Sequence, residues 1–270
     1  MRKNFYPIAI TFCLLLLLPV AASADLAKGW EAFNAKDYKT SFAEWQKSAN
    51  NGSRTSQYNL GYLYEKGLGV AQDHKKAVKW YKIAAEQGHL DAQYNLGRMY
   101  EKGYGVTQDF KEAAKWYKKA AEQGDADAQY SLARMYEDGA GVAQDYKEAV
   151  RWFKKAAEQG DADAQYSLGF IYEDGTGVAQ DYKEAIKWYR KATGQGNADA
   201  QNNLGYMYHK GRGVAQDHIA AYMWTEIAAS QGNKLAIENK EIIGKQMAPG
   251  QIEQAQKLAR EWMSKNGKKK

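Results

Sequence analysis

A block of 36 residues recurs five times without an insertion, and this period constrains the fold more than any other feature of the sequence. Two consecutive blocks, from residues 92 and 128, read AQYNLGRMYEKGYGVTQDFKEAAKWYKKAAEQGDAD and AQYSLARMYEDGAGVAQDYKEAVRWFKKAAEQGDAD. A fixed period of this length is typical of repeat proteins, in which each unit packs against its neighbours along the chain. The five blocks cover residues 56–91, 92–127, 128–163, 164–199 and 200–235.

Each block predicts two helices joined by a tight turn. Ala92, Leu96 and Met99 follow a helical period and define helix A, and a second run with the same period, which contains Trp116, defines helix B. The motif G-x-G-V lies between them, and glycine suits a turn because it adopts positive φ without strain. Every block is therefore predicted to form an antiparallel helical hairpin.

Polar residues and glycines mark the two ends of helix B. Asp109 with Glu112 predicts an N-terminal capping box, and the pairs Asp145/Glu148 and Asp181/Glu184 repeat it. A glycine then follows the helix at the position of a C-terminal cap. These cap glycines are Gly88, Gly124, Gly160, Gly196 and Gly232.

One hairpin cannot bury its apolar side alone, so the repeats must stack. Tryptophans in the same register of each block, Trp80, Trp116, Trp152, Trp188 and Trp224, are predicted to form the core between them. The flanking segments deviate from the pattern, as the ends of a repeat array do. Residues 25–55 are predicted to form an N-terminal capping hairpin, and residues 236–264 two C-terminal capping helices, the second of which begins at Pro249.

The pattern A-x-x-x-L-G-x-x-Y-x-x-G-x-G-V-x-x-D-x-x-x-A-x-x-W-x-x-x-A-A-x-x-G resembles the Sel1-like repeat family, a relative of tetratricopeptide repeats. Ser56, Ala133 and Thr193 are minor departures from it. The resemblance implies an all-α fold, a right-handed α/α superhelix whose concave face is lined by the A helices. It also implies an adaptor or regulator of protein complexes, often at the bacterial envelope.

The N-terminal 24 residues have the layout of a signal peptide. Arg2 and Lys3 precede the apolar run 8–20, and Ala22-Ser23-Ala24 supplies the small residues that signal peptidase accepts. We expect cleavage after Ala24 and a periplasmic or secreted protein without a stable membrane anchor, and an uncleaved anchor is the alternative. The single cysteine, Cys13, lies in this run, so the processed chain is predicted to contain no disulfide.

The formal charge of +6 comes from the two ends of the chain. Six of the 38 basic residues are Arg2, Lys3 and four lysines of the tail 265–270, and the remaining basic residues equal the 32 acidic ones in number. This balance gives no general footprint for phosphate backbones, so no nucleic-acid partner is predicted. We expect a monomer.

The side of helix A opposite its apolar positions is the predicted binding surface, and in the second block it carries Tyr94, Arg98 and Glu101. Tyrosine and arginine dominate binding hot spots. One position on this side changes from repeat to repeat. The tyrosine four residues before it is nearly constant, and the alternative interpretation of this tyrosine is that it packs on the next repeat. We call the following residues the helix-A stripe: Tyr58, Tyr62, Tyr94, Arg98, Tyr130, Arg134, Tyr166, Phe170 and Tyr206. We hypothesise that a peptide with an acidic centre lies along it.

No arrangement of residues predicts an enzyme, a cofactor or a metal site. His74 and His218 share a register just after a helix cap, where a histidine is usually solvated, and His89 and His209 lie elsewhere. A cysteine-rich branch of the Sel1-like family is associated with penicillin binding and β-lactam hydrolysis, but its paired cysteines and an S-x-x-K motif are missing here. A β-lactam- or peptidoglycan-related hydrolase is thus the disfavoured alternative, and a secreted effector that binds a host protein is another.

Overall fold

The structure, a computed structural model, describes residues 20–266, with side chains from residue 24. Residues 1–19 of the predicted signal peptide and 267–270 of the predicted basic tail lie outside this range. Within it the chain forms fourteen α-helices and no strand. None of these helices is long and apolar enough to cross a bilayer.

The first seven helices in chain order are α1 (Val20–Asn34), α2 (Tyr38–Asn50), α3 (Arg54–Lys66), α4 (His74–Glu86), α5 (Leu90–Lys102), α6 (Phe110–Glu122) and α7 (Ala126–Asp138). The others are α8 (Tyr146–Glu158), α9 (Ala162–Asp174), α10 (Tyr182–Gly194), α11 (Ala198–Lys210), α12 (His218–Ser230), α13 (Lys234–Gly244) and α14 (Pro249–Asn266). In the five blocks, α3, α5, α7, α9 and α11 are the A helices and the even-numbered helices from α4 to α12 are the B helices.

Residue contacts divide the chain into two compact units. The first contains the residues up to Ala92 together with Tyr104–Val106, and the second contains Gln93–Gly103 together with Thr107 onward. In the first unit α1 packs on α2, α2 on α3 and α3 on α4. In the second unit each helix from α6 to α12 packs on the next one, and α14 packs on α12. The predicted all-α fold of paired helices repeated along the chain is confirmed.

The predicted aspartate caps of the B helices are present, but the capping box is incomplete. Asp109 accepts hydrogen bonds from the backbone N–H groups of Lys111 and Glu112. The Glu112 side chain does not return the bond, because the Asp109 N–H already donates to the Tyr100 carbonyl at 3.0 Å. Glu112 instead pairs with Lys115 at 2.9 Å and accepts from the Trp116 ring nitrogen at 3.2 Å. The prediction of a reciprocal box is therefore wrong in its second half.

The predicted glycine caps close the B helices in Schellman geometry. Gly124 has a φ of +101° and follows the C-cap residue Gln123. Its N–H donates to Ala121, and the next N–H, of Asp125, donates to Ala120 at 3.2 Å. Positive φ at this position requires glycine.

The second glycine of each G-x-G-V motif is required for contact between repeats as well as for the turn. Gly141 has a φ of +73°, and a Cβ there would overlap the Phe110 carbonyl group and lie 2.7 Å from the Lys111 nitrogen at the start of the preceding helix B. The same approach brings Gly177 against Tyr146 and Gly213 against Tyr182. Sequence analysis assigned these glycines to the turn alone.

The predicted tryptophan core is confirmed in the middle of the array and is partial at its ends. Trp116, Trp152 and Trp188 are buried, whereas Trp80 and Trp224 are half-buried. The ring of Trp224 meets Trp262 of α14 edge to face, with 5.4 Å between the ring centroids. The last helix therefore covers the exposed side of the final repeat.

In the N-terminal hairpin Trp45 fills the space between α1 and α2. It is 1% exposed, and its ring nitrogen donates to the Leu26 carbonyl at 3.3 Å. Gly29 lies so close to this ring that a Cβ would overlap it. Leu26 lies beyond the predicted cleavage point, so this contact belongs to the processed chain.

In the third and fourth blocks a buried glutamine of the A helix joins three helices. In the second unit Gln129 of α7 donates to the Ala121 carbonyl of α6 at 3.1 Å and accepts from Gln159, at the end of α8, at 2.8 Å. Gln165 makes the matching bonds to Ala157 and Gln195. Since a buried amide without partners would destabilise the fold, this paired arrangement specifies how hairpins dock.

A tyrosine–glutamate hydrogen bond recurs between the two helices of a hairpin. The Tyr117 hydroxyl donates to Glu101 at 2.6 Å, and Tyr189 donates to Glu173 at 2.8 Å. Burial opposes ionisation of Glu101, but hydrogen bonds from Lys102 and Tyr117 hold its pKa below the ordinary value. In the third block Phe153 replaces the tyrosine, and burial raises the pKa of Glu137 despite the nearby Arg134.

We predict that Gly141→Ala destabilises the protein more than Gly160→Ala. Both glycines have positive φ, but nothing lies within 4 Å of a Cβ at Gly160. Gly160→Ala should therefore cost only the backbone strain, about 1–2 kcal/mol. Gly141→Ala should cost a further ~1–3 kcal/mol, because the neighbouring repeat must also move away. Urea unfolding measures both values, and equal costs would show that repeat contact does not require this glycine.

We also predict opposite effects from exchanging Tyr117 and Phe153. Tyr117→Phe should destabilise the protein by about 1.5–3 kcal/mol at neutral pH, the typical contribution of a hydrogen bond to a charged group. Phe153→Tyr should stabilise it, because the new hydroxyl can donate to Glu137.

The pH dependence separates this effect from packing. Because the pKa of Glu101 is lowered on folding, its stabilisation is present above the ordinary glutamate pKa and is lost as the pH falls through the folded value. The cost of Tyr117→Phe, measured by urea unfolding, should therefore shrink between pH 7 and pH 3. A cost that is constant with pH would contradict a role for the ionised pair.

Candidate functional site

The helix-A stripe lies on A helices in both units. Tyr58 and Tyr62 belong to α3 in the first unit. The other seven residues belong to α5, α7, α9 and α11 in the second unit. The second unit therefore contains the larger part of the predicted surface.

The nearly constant tyrosines of the stripe are half-buried against helix B of their own hairpin. Tyr94 packs on Tyr117, with 5.7 Å between ring centroids, and Tyr130 packs on Phe153 at 5.6 Å. Tyr166 packs on Tyr189 in the same manner, and in the first unit Tyr58 packs on Tyr81 and stacks on His89. One side of each ring thus supports the hairpin, and the partially exposed side is open to a partner.

The variable position of the stripe is exposed in two repeats and half-buried at Tyr62, Arg98 and Tyr206. Phe170 is 49% exposed, an unusual value for phenylalanine, and Arg134 is also exposed. Tyr206 is half-buried, with the guanidinium of Arg212 5.4 Å from its ring centroid. In the first unit, the ammonium of Lys66 lies 5.9 Å from the ring of Tyr62. At Arg134 and Phe170 the side chain therefore contributes less to the core than the constant tyrosines do.

Carboxylates lie close to Arg134, one of the two arginines, with Arg98, that were the basis for expecting an acidic partner. Its Nε lies 3.3 Å from Glu137, and its Nη2 lies 3.3 Å from Asp138. Residues 125–138 contain four acidic residues and one basic residue. The centre of the surface thus has a net negative charge, and the hypothesis of an acidic peptide needs revision.

The acidic character increases in the next repeat. Residues 161–174 contain four acidic residues and no lysine or arginine, whereas residues 182–194 of the following helix B contain four basic residues and one acidic residue. Burial and the nearby carboxylates of Asp163 and Asp127 raise the pKa of Asp161. From α7 to α10 charge is therefore segregated between the A and B helices although the body of the chain is formally neutral.

A cleft of about 240 Å³ lies beside the stripe in the second unit. Its lining includes Tyr130, Arg134, Met135 and Phe110, together with the Glu101 carboxylate. Sequence analysis placed Glu101 on the free side of α5, but its hydrogen bonds to Tyr117 and Lys102 hold it in place. The cleft is large enough for one side chain of a partner and combines apolar walls with charged groups.

Two apolar residues that sequence analysis missed extend the surface onto α13. Ile242 is 51% exposed and Leu235 is 62% exposed. Ile242 follows Tyr206 by 36 residues, and Leu235 follows Asp199 by the same interval. The 36-residue period identifies these equivalent positions, but α13 lacks the Leu-Gly pair and was predicted only as a cap.

The histidines have structural surroundings that differ from the prediction. His74, expected to be solvated, is half-buried and stacks on Tyr104, and His89 accepts from the Ala92 N–H at the start of α5. The rings of His209 and His218 lie 5.3 Å apart, and burial lowers the pKa of His209. Among residues 24–266 no three histidine, cysteine, aspartate or glutamate side chains are grouped to hold a metal ion.

Comparison with known proteins identifies the repeat. The Sel1 repeat model matches residues 55–89, 90–125, 126–161, 162–197 and 198–233. A Sel1 repeat protein from Oxalobacter formigenes is 35% identical, with a TM-score of 0.77 over 87% of this chain and 98% of that one. A protective antigen with an SLR fold from uropathogenic Escherichia coli is 30% identical, with a TM-score of 0.45 over 91% of this chain and 69% of the antigen.

No curated protein matched the chain. The matched repeats cover more than half of the sequence, and their boundaries precede those of the 36-residue blocks by one or two residues. Sel1 repeat proteins are generally scaffolds for protein interaction. The chain belongs to the Sel1 repeat family.

Proposed function

We propose that the protein is an exported scaffold that binds a polypeptide along the helix-A stripe of its second unit. The observation that carries the proposal is the exposure of Phe170, 49%, on a helix face whose constant tyrosines are also partly open. Large aromatic side chains that are costly to expose to water are enriched at binding surfaces.

The repeat architecture supports this role. The positions that stay constant from repeat to repeat form caps, turns and inter-helix hydrogen bonds. The stripe's variable position changes between arginine, phenylalanine and tyrosine in the second unit. A rigid array of paired helices then presents these side chains at a regular interval, which suits an elongated partner.

Export is the second part of the proposal, and it rests on the N-terminal sequence. The basic residues Arg2 and Lys3, the apolar run 8–20 and the A-S-A site together fit a cleavable signal. A periplasmic or secreted location would give the scaffold access to envelope or extracellular proteins.

Affinity capture with the purified processed protein tests the binding role. A specific partner should be recovered from envelope extracts, and the double variant Phe170→Ala with Tyr206→Ala should reduce its recovery at least tenfold, because hot-spot aromatics contribute about 2 kcal/mol or more to binding. Quantitative mass spectrometry of the bound fractions measures the change.

The matched control is Ile83→Ala, which removes an apolar side chain of similar exposure, 41%, from helix B of the first unit. Recovery should be unchanged with this variant. If the Phe170/Tyr206 variant captures the same proteins in the same amounts, the stripe is not the binding surface.

Cell fractionation and N-terminal sequencing test export. The processed protein should begin at Asp25 and leave the cytoplasm, and Ala22→Arg with Ala24→Arg should block processing because the peptidase accepts small side chains. An unprocessed chain in the cytoplasm would contradict the proposed location without affecting the binding role.

A further inference from the structure

Three consecutive A-type helices in the second unit carry a large apolar side chain at the same register position, exposed on the first and third helix and half-buried on the second. Phe170 lies on α9, Tyr206 on α11 and Ile242 on α13, each 36 residues after the last. The helices are neighbours, since α11 contacts both α9 and α13. Phe170 and Ile242 are 49% and 51% exposed. We call these three residues the apolar row.

A second row lies seven residues earlier on each helix and therefore on the same side. It consists of Asp163, Asp199 and Leu235, all exposed. Seven residues correspond to about 10.5 Å along a helix, close to the diameter of one α-helix. The two rows are thus spaced so that a single helix can contact both.

The partners of the two aspartates leave their charge uncompensated. Asn197 donates to Asp163 at 3.0 Å and Asn233 donates to Asp199 at 2.7 Å. An amide satisfies a carboxylate oxygen but carries no positive charge. Asp161 precedes Asp163 by two residues at the start of α9, and Glu173 and Asp174 lie at the other end of this helix. Two cations approach this region: Arg212 lies 3.7 Å from Glu173 and 5.4 Å from the ring centroid of Tyr206, and the ammonium of Lys210 lies 5.7 Å from the same centroid.

We propose that this face binds a basic amphipathic α-helix of a partner protein, with apolar side chains on the apolar row and lysines or arginines facing Asp163 and Asp199. The inference rests on the proposed function and specifies the class of partner. Charge complementarity selects a basic helix over the acidic peptide first expected, and the apolar row selects an amphipathic one.

A heptad period in such a ligand suits contacts on successive, neighbouring helices. Packed helices lie about 8–10 Å apart, and residues seven apart on a helix are separated by about 10.5 Å. A helix that crosses α9, α11 and α13 would place an apolar residue on each of them with one heptad period. About 15 residues would span the three contacts.

Selection from a displayed library of 18-residue helical peptides tests the proposal. The library keeps a heptad of apolar positions and allows lysine or glutamate at the flanking positions, and the purified processed protein is the bait. Selected peptides should carry more lysine than glutamate, and their affinity, measured by fluorescence anisotropy, should fall as salt rises.

Variants locate the binding site of the selected peptides. Phe170→Ala and Ile242→Ala should each weaken binding at least tenfold. Asp163→Asn with Asp199→Asn should weaken it by a similar factor and reduce its salt dependence, while the amide side chains can still accept the bonds from Asn197 and Asn233. The controls are Ile83→Ala and Glu158→Gln, exposed on B helices, and they should leave the affinity unchanged.

Several results would overturn the inference. Selected peptides rich in glutamate, or binding that survives Phe170→Ala, would exclude the basic helix at this face. Self-association of the protein through the same residues, seen by sedimentation and abolished by Phe170→Ala, would assign the face to a second copy. If no peptide is selected but a partner is captured through Phe170 and Tyr206, the proposed function stands and the helical partner class fails. Failure of both experiments would reject the proposed function itself.

Discussion

The close backbone approach between successive repeats is the constraint on which the rest of the structure depends. At Gly141 there is no space for a Cβ against the start of the preceding helix B, and Gly177 and Gly213 repeat this contact in the second unit. An approach of this kind allows one register between hairpins. The glutamine contacts that join three helices, such as those of Gln129 and Gln165, then form with partners already in position.

Because the register is fixed, the side chains at one position of successive repeats form a row on the surface. Positions that contact the neighbouring helices, such as Leu132 and Ala133 at 0–1% exposure, must stay small or apolar, whereas Phe170 at 49% is free of that requirement. The substitution of Phe153 for tyrosine shows that a row can also change inside a hairpin. Phenylalanine lacks the hydroxyl that would donate to Glu137, and the Glu137 carboxylate pairs with Arg134 instead.

The sequence predicted the repeated hairpins, the aspartate caps and the glycine ends of the B helices because these depend on local backbone geometry. It wrongly predicted that the Glu112 side chain accepts from the Asp109 N–H, because this N–H donates to the end of helix A, a contact that only the folded turn reveals. It missed the role of Gln129 and the second role of Gly141 for a similar reason, since both depend on the distance between repeats. The helix-A stripe followed from helical periodicity, but its electrostatics did not, because the partners of Arg134 are set by side-chain conformation.

The total charge of the chain does not show how charge is distributed between its A and B helices. Acidic residues accumulate in 125–138 and 161–174, and basic residues accumulate in the B helices that follow. In a repeat array a charge at one position is copied along a whole row, so a small bias per repeat becomes a continuous field over several helices. The lysines near the buried tryptophans, such as Lys191 at 4.0 Å from the ring centroid of Trp188, keep the positive charge on the B helices. An acidic helix-A face on α7 and α9, beside the exposed ring of Phe170, follows from this arrangement, and it favours partners by charge before any individual side-chain contact selects among them.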